Sequence, residues 1–377
     1  SPDHGPWLKP AEYRPQNRYC GRRRPFDCNV RDGLEDCKPV STRPDERLAI
    51  RRLGGERRVR AVRFHEHGGP DVLSVDQVER PAPAADEVLV DVRAASVNPV
   101  DVMLRSGEYG SIPLPSIPGG DGAGVVTAVG DGVDCVEPGD RVFLSGMDRA
   151  EGGTFAEYTA VPATKVAPLP EGCSFEAGAA IANVGATAWT ALGRIAGIQP
   201  GDRVLIHGGA GGVGHAAVQL AASAGAEVIA TAGSADARDR LRELGAAEAL
   251  DYESDTLRRD VLAATDGAGV ETVLDHKLEE YLELDLQVVT EGGEIVAIMG
   301  HLPETSGLPF YSNEATIHAL RMDNHPVRSP VLERLGRLLE RGDLSPVVAD
   351  TYDLEAAPQA QTDVLQGGYV GKLVVTP

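Results

Sequence analysis

His207-Gly208-Gly209-Ala210-Gly211-Gly212-Val213-Gly214 is the stretch on which the reading of this chain turns. Gly209, Gly211 and Gly214 give the spacing G-x-G-x-x-G, a weak pattern taken alone. Here it follows the apolar run Arg203-Val204-Leu205-Ile206 and opens an alanine-rich segment. About 20 residues later comes the end of a second apolar run, Glu227-Val228-Ile229-Ala230-Thr231. That is the strand, tight turn and helix context of a dinucleotide-binding loop. Glycines let the backbone approach a pyrophosphate, and the exposed amides and positive end of the helix stabilise its charge. Gly209, Ala210, Gly211, Gly212, Val213 and Gly214 are therefore the expected cofactor-binding loop; a glycine-rich turn without a ligand is the alternative.

Downstream of the loop, strand and helix patterns alternate. Helices are expected over Val213–Ala224, Ala235–Leu244 and Val331–Arg341, and strands over Thr272–Asp275 and Glu294–Ile298. This rhythm implies a doubly wound parallel sheet. Upstream, short β segments separated by Gly- and Pro-rich turns suit a small, partly open barrel: Arg60–Phe64, Glu87–Val92, Gly124–Val129 and Asp140–Leu144. The expected α/β organisation has an extension over 1–58, a β-rich domain over 59–180 and a dinucleotide-binding domain over 181–320. A final segment, 321–377, has a closing strand, Lys372–Val375, that returns to the first domain.

A chain of 377 residues with 42% hydrophobic and 5% aromatic content is long enough for two cores of ordinary size. Residues 1–60 hold 15 Lys/Arg against 9 Asp/Glu, and the remainder holds 21 against 48, so a basic extension precedes a body of net charge −27. Such a body repels a nucleic-acid backbone, which makes nucleic acid an unexpected partner. Only three of the later cations are lysine, a balance that suits a salt-rich cytoplasm or follows from a GC-rich genome. Residues 1–58 lack a sustained apolar period and read as disordered. Val59 is a candidate natural start, and an arm for nucleic acid or a membrane surface is the competing reading of the arginines. The five cysteines form no Cys-x-x-Cys pair, so neither a disulfide framework nor a zinc ribbon is legible; Cys20, Cys28, Cys37 and His4 leave a metal site as the alternative to free thiols. The apolar window Ala177–Gly193 is too interrupted to cross a bilayer. With no secretory signal readable, a cytoplasmic location is expected.

Coenzyme choice is read at the end of the second strand, Ala230-Thr231-Ala232-Gly233-Ser234. A carboxylate there would repel a 2′-phosphate, and none is present. Ser234 and Arg238 can reach such a phosphate, so NADPH is the expected coenzyme, although Asp236 and Asp239 flank the arginine.

Several motifs together resemble the zinc-independent quinone oxidoreductase (zeta-crystallin-like) branch of the medium-chain dehydrogenase/reductase superfamily. They are Ala95–Asp101, Ile117–Val126, Val136–Val142, Gly153–Tyr158, Thr187-Ala188-Trp189 and the glycine loop. The resemblance covers Val59 to the C-terminus. It implies a GroES-like catalytic domain, a Rossmann domain, NADPH as hydride donor and a homodimer. Zinc-dependent relatives have a Cys ligand near Asn98 and a Gly-His-Glu triplet where Gly119-Gly120-Asp121 stands. This stretch has neither Cys nor His, and no metal is expected. Hydride transfer to a quinone, or to a carbon–carbon double bond conjugated with a carbonyl, needs orientation and polarisation more than a metal.

The resemblance further places Asn98, Asp101 and Tyr109 at the catalytic loop, Asn98 as donor to the acceptor carbonyl and Tyr109 as substrate contact or proton donor. It places Thr187 at the nicotinamide, with Asn183 facing the same site, and makes Tyr252 a coenzyme contact. A loop amide, a packed aromatic and a buried helix hydroxyl are the structural alternatives for Asn98, Tyr109 and Thr187. Met103 stands where a tyrosine is common, Ala237 stands where some relatives have a lysine for the 2′-phosphate, and the C-terminal arginine of some relatives is missing. Enoyl-thioester reduction and non-catalytic NADPH binding are the competing functions.

Overall fold

A computed structural model describes residues 58–110, 112–146, 152–303 and 313–377. The expected disorder of residues 1–58 lies outside the described residues, except at Arg58, which opens a strand. The possible metal site of Cys20, Cys28, Cys37 and His4 also lies outside them.

The chain enters through an antiparallel hairpin, β1 (Arg58–Phe64) and β2 (Leu73–Glu79), in which Val62 faces Val75. Strand β3 (Glu87–Ser96) then leads into the short helix α1 (Pro99–Ser106). Pro99 sits at the start of α1, where its missing N–H costs nothing, and Gly107 closes the helix at φ 89°. Strands β4 (Asp121–Val129), β5 (Arg141–Ser145), β6 (Tyr158–Pro162) and β7 (Val166–Pro168) complete the first half. Helix α2 (Phe175–Trp189) follows, capped by the Ser174 hydroxyl, and continues as a π-helical stretch through Ala196. The expected 180/181 division falls inside α2.

The second half runs β8 (Arg203–Ile206), α3 (Gly212–Ser223), β9 (Glu227–Thr231), α4 (Ala235–Glu243), β10 (Glu248–Leu250), α5 (Leu257–Ala264), β11 (Val270–Asp275), α6 (Leu278–Val288), β12 (Val289–Ala297) and β13 (Thr316–Ala319). Its six strands are all parallel, in the order β10-β9-β8-β11-β12-β13. Strand order therefore reverses beside β8, and the crevice at the carboxyl ends of β8 and β11 is where such sheets take their ligands. Helix α7 (Ser329–Arg341), strand β14 (Val348–Asp353), helix α8 (Ala357–Gln366) and strand β15 (Lys372–Thr376) end the chain. Strand β15 lies antiparallel to β3, with Val374 opposite Ser96, and gives the first sheet the order β14-β15-β3-β4-β5-β7.

One core joins the halves. Ala123 and Phe143 of the first sheet, Ala180 and Ile181 of α2, and Val204, Ile206 and Val228 of the parallel sheet share a single apolar cluster. Leu205 and Ile206 are fully buried, each contributing about 1.5–3 kcal/mol by leaving water. Small side chains on α2 and α3, such as Ala182, Ala186, Ala217 and Ala221, let these helices lie close together between the sheets. No helix among the described residues is long and apolar enough to cross a membrane.

Candidate active site

The glycine loop lies where β8 gives way to α3. Gly211 caps α3 without a side-chain hydrogen bond, so the first-turn amides, which lack intrahelical partners, face outward. A Cβ on Gly211 would meet only the Gly208 carbonyl oxygen, at 3.3 Å. On Gly214 it would stand 2.1 Å from that oxygen and 2.7 Å from Gly209 Cα. One glycine thus leaves room for a ligand and the other lets helix and strand meet. This open cradle at a helix N-terminus fits a pyrophosphate.

At the end of β9 the structure brings Ser234, Arg238 and Tyr252 together. The Ser234 oxygen caps α4 by accepting from Ala237 N (3.2 Å), leaving its O–H as a donor. Arg238 Nη1 donates to Asp251 Oδ2 (2.9 Å) and the Ala232 carbonyl (3.2 Å), while its Nε and Nη2 have no partner among the described residues. Asp251, rather than the flanking Asp236 or Asp239, is the carboxylate that competes for this guanidinium. The Tyr252 hydroxyl lies over Gly233, 2.5 Å from where a Cβ would be.

The loop around Asn98 contains a network that sequence reading only half anticipated. Lys372, 3% exposed at the start of β15, donates from Nζ to the Val97 carbonyl and to Asn98 Oδ1 (2.8 Å). Asn98 Nδ2 donates to Asp121 Oδ1 (2.7 Å) and, more loosely, to the Ser96 carbonyl (3.4 Å). Asp121 also accepts from the Ser96 hydroxyl (2.8 Å) and Asn183 N (3.2 Å). An amide thereby links an ammonium to a carboxylate, which fixes its orientation: a flip would set donor against donor at Lys372 and acceptor against acceptor at Asp121. Burial pushes Asp121 up and Lys372 down, while their mutual attraction opposes both shifts. With hydrogen bonds on both oxygens, Asp121 remains the anionic partner. Asp101 is a loop fixer, accepting from Asn98 N (2.8 Å) and Gly119 N (3.3 Å), and burial pushes it up to about 6.

Asn98, Asp101, Gly120 and Asn183 line one cavity of about 360 Å³ between the first sheet and α2. Tyr109 does not line it; its hydroxyl reaches Asp323, which does, at 3.2 Å. Thr187 sits one turn beyond Asn183 and donates to its carbonyl (2.9 Å), so toward a carboxamide it can only accept. Among the described residues no three His, Cys, Asp or Glu side chains cluster to hold a metal. The polar groups around Asn98 are an amide, two carboxylates, a hydroxyl and an ammonium, and Lys372 would repel a dication. This donor set does not fit zinc.

Beneath the glycine loop lies a second buried cluster. His207 follows β8, stacks on Tyr281 at 4.1 Å and hydrogen-bonds Asp285 Oδ1 through Nε2 (2.9 Å). Asp275, at the end of β11, accepts from Lys277 N (2.7 Å) through Oδ1, and its buried Oδ2, like that of Asp285, has no hydrogen-bond partner among the described residues. Burial holds His207 down to about 4 and, with Asp285 alongside, pushes Asp275 up to about 7. A carboxyl raised in the folded state contributes stability below its unfolded value of about 3.9 that is lost as pH rises through about 7. Replacing Asp275 by Asn is therefore expected to improve stability relative to the wild type as pH rises from 4 to 7, by up to about 1.4 kcal/mol per unit, and to level off above. Urea unfolding of both proteins across this range measures it; a difference that does not change with pH contradicts a raised Asp275.

The alcohol dehydrogenase GroES-like domain matches residues 84–171 and the zinc-binding dehydrogenase family matches residues 212–335, together more than half of the chain. The mouse quinone oxidoreductase is 34% identical over 330 residues, 85% of this chain and 98% of that protein. A quinone oxidoreductase structure from Pseudomonas syringae aligns with TM-score 0.78 at 29% identity, covering 85% of this chain and all of that one. The Escherichia coli quinone oxidoreductase, solved in complex with NADPH, aligns with TM-score 0.76 at 27% identity over 84% of this chain and all of its own. With a parallel sheet in Rossmann order, a glycine cradle at its switch point and these similarities, the chain belongs to the zeta-crystallin-like quinone oxidoreductase branch of the medium-chain dehydrogenase/reductase superfamily.

Proposed function

We propose that this oxidoreductase transfers hydride from NADPH to a quinone or an α,β-unsaturated carbonyl without a metal. The observation that carries the reading is the Lys372–Asn98–Asp121 network, which puts an oriented amide on the wall of the cavity while denying that wall a zinc ligand set. NADPH, when bound, supplies the hydride. The first-turn amides of α3 would hold its pyrophosphate, and the Ser234 O–H and the remaining N–H groups of Arg238 its 2′-phosphate. Thr187 would accept from the carboxamide, and Tyr252 would cover the adenosine side.

Asn98 has one N–H held only at 3.4 Å by Ser96. That N–H is the one able to turn toward the acceptor oxygen as negative charge develops, while Lys372 pulls on the amide oxygen and makes the donor more acidic. Asp101 keeps the loop in place. Tyr109 is assigned to the acceptor's outer edge through Asp323. A cytoplasmic homodimer completes the proposal, and light scattering of the purified chain tests the dimer.

Fluorescence titration with NADPH and NADH, followed by a panel of quinones, enones and a crotonyl thioester, tests the reading. Tight NADPH binding with turnover of quinones or enones is expected. Turnover of the thioester alone would transfer the assignment to enoyl reduction, and binding without turnover would make the protein non-catalytic. Arg238→Gln is expected to cut the preference for NADPH over NADH by about 10- to 100-fold, the worth of one charge-assisted hydrogen bond. An unchanged ratio would remove Arg238 from the phosphate site.

A further inference from the structure

Arg328, at the N-terminus of α7, carries a charge that no carboxylate among the described residues pairs with. It is 4% exposed, its Nη2 donates to the Met322 carbonyl (2.6 Å), its Nη1 lies 3.8 Å from the Met322 sulfur, and its buried Nε has no acceptor. No carboxylate of the described residues forms an ion pair with it within 4.0 Å. Asp323 attracts it from a distance, but the Asp323 carboxylate is engaged by Arg321 Nε (3.1 Å) and the Tyr109 hydroxyl (3.2 Å). Burial lowers Arg328 only to about 10, so it is cationic at neutral pH.

Arg328 lines the same cavity as Asn98, together with Lys165 and Gly146. Gly146, at φ 84°, packs against the buried Nε, since a Cβ there would stand 3.0 Å from that atom. The other ionisable groups on the described wall are Lys165, Asp101 and Asp323, and the two carboxylates are already hydrogen-bonded within the protein. A buried cation with no ion-pair partner among the described residues is costly, and a planar guanidinium matches a planar oxyanion.

Resting on the hydride-transfer reading of this cavity, we infer that Arg328 is the anion-recognising end of the acceptor site, and that the acceptor is a quinone or enone bearing a carboxylate. Asn98 addresses the carbonyl that becomes electron-rich, and Arg328 holds the carboxylate, which fixes the acceptor's direction in the cavity. The same guanidinium would discriminate against neutral acceptors.

Calorimetric titration of the NADPH-loaded protein with cinnamate and its neutral isostere cinnamamide tests this without requiring turnover. The wild type should bind cinnamate about tenfold more tightly than cinnamamide, Arg328→Gln should lose that ratio, and Arg328→Lys should keep part of it because the charge remains and the fork is lost. Using a ratio of two ligands on one protein cancels a general loss of folded material, and thermal melting identifies a variant that does not fold. Should Arg328→Gln not fold, the wild-type ratio and the intermediate ratio of Arg328→Lys carry the test. A wild type without preference, or a preference that survives in Arg328→Gln, overturns the inference. A preserved cinnamate preference in a protein that oxidises NADPH with no quinone or enone would instead sink the hydride-transfer reading and leave the anion site standing.

Discussion

Replacing Lys372 by Met is expected to destabilise the protein by about 3–5 kcal/mol and to abolish most acceptor turnover. Removing one partner of a buried pair leaves the other charge uncompensated, and Asp121 is fully buried with its hydrogen bonds spent on Ser96, Asn98 and Asn183. The Asn98 amide would also lose the donor that fixes its oxygen, and with it the orientation on which the acceptor contact depends. The sign of the pH dependence separates this account from simple loss of packing. Without the ammonium, Asp101 and Asp121 rise further above their unfolded values, and a raised carboxyl loses stability as pH increases. Lys372→Met should therefore come closest to the wild type in mild acid and fall away toward pH 8. Adding Asp121→Asn to Lys372→Met should recover part of the loss, so that the two changes together cost less than their sum. Additive costs, or a deficit independent of pH, would mean that the network does not hold charge as described.

The second large effect is expected at the glycine loop, where two positions of one motif should behave differently. Gly214→Ala puts a methyl 2.1 Å from the Gly208 carbonyl oxygen, and backbone atoms there cannot step aside as a side-chain end would. Overpacking of this kind costs about 1–3 kcal/mol and displaces α3 from the end of β8. Losing two charge-assisted contacts to the pyrophosphate would weaken NADPH by about 100- to 10,000-fold. Gly211→Ala meets only one oxygen, at 3.3 Å, with φ −70° and ψ 175° that any residue adopts. Its melting temperature should stay near the wild type while NADPH affinity falls, because the methyl points into the ligand's space. Equal melting temperatures for the two variants would contradict the division of labour between the two glycines.

The parts legible in the sequence were those with local signatures. Gly209, Gly211 and Gly214 between an apolar strand and an alanine-rich helix fix the loop within a residue of where α3 begins. Helix α4 begins at Ala235 as expected, and the absence of a carboxylate at the end of β9 is read directly. Helix α2 was harder, because its burial between two sheets removes the amphipathic period, and its apolar window served only to exclude a membrane span. Helix α5 shows too few apolar residues at a clear period, burying only Leu257 and Val261.

The network around Asn98 was not legible, because its pieces come from β3, β4, α2 and β15 and meet only after the C-terminal strand returns. A signal did exist. Lys372 is one of three lysines after residue 60 and opens the strand Lys372-Leu373-Val374-Val375, an unusual place for a flexible cation. His207 and Asp275 stood at the carboxyl ends of two adjacent strands, where a parallel sheet places its chemistry, yet their partner Asp285 lies on a helix that the sequence pattern did not reveal. Arg328 was invisible for a different reason. Nothing in a sequence distinguishes a buried, unbalanced arginine from a solvated one.

In the proposed reaction hydride passes directly, without a metal, to a conjugated acceptor. NADPH deuterated at the transferable position of its nicotinamide, incubated with the purified protein and an enone after exhaustive chelation, tests it most directly by mass spectrometry of the product. One deuterium is expected at the carbon β to the carbonyl, with turnover unchanged by chelation. Reduced enone without the label, activity that returns only on adding zinc, or no oxidation of NADPH would contradict it.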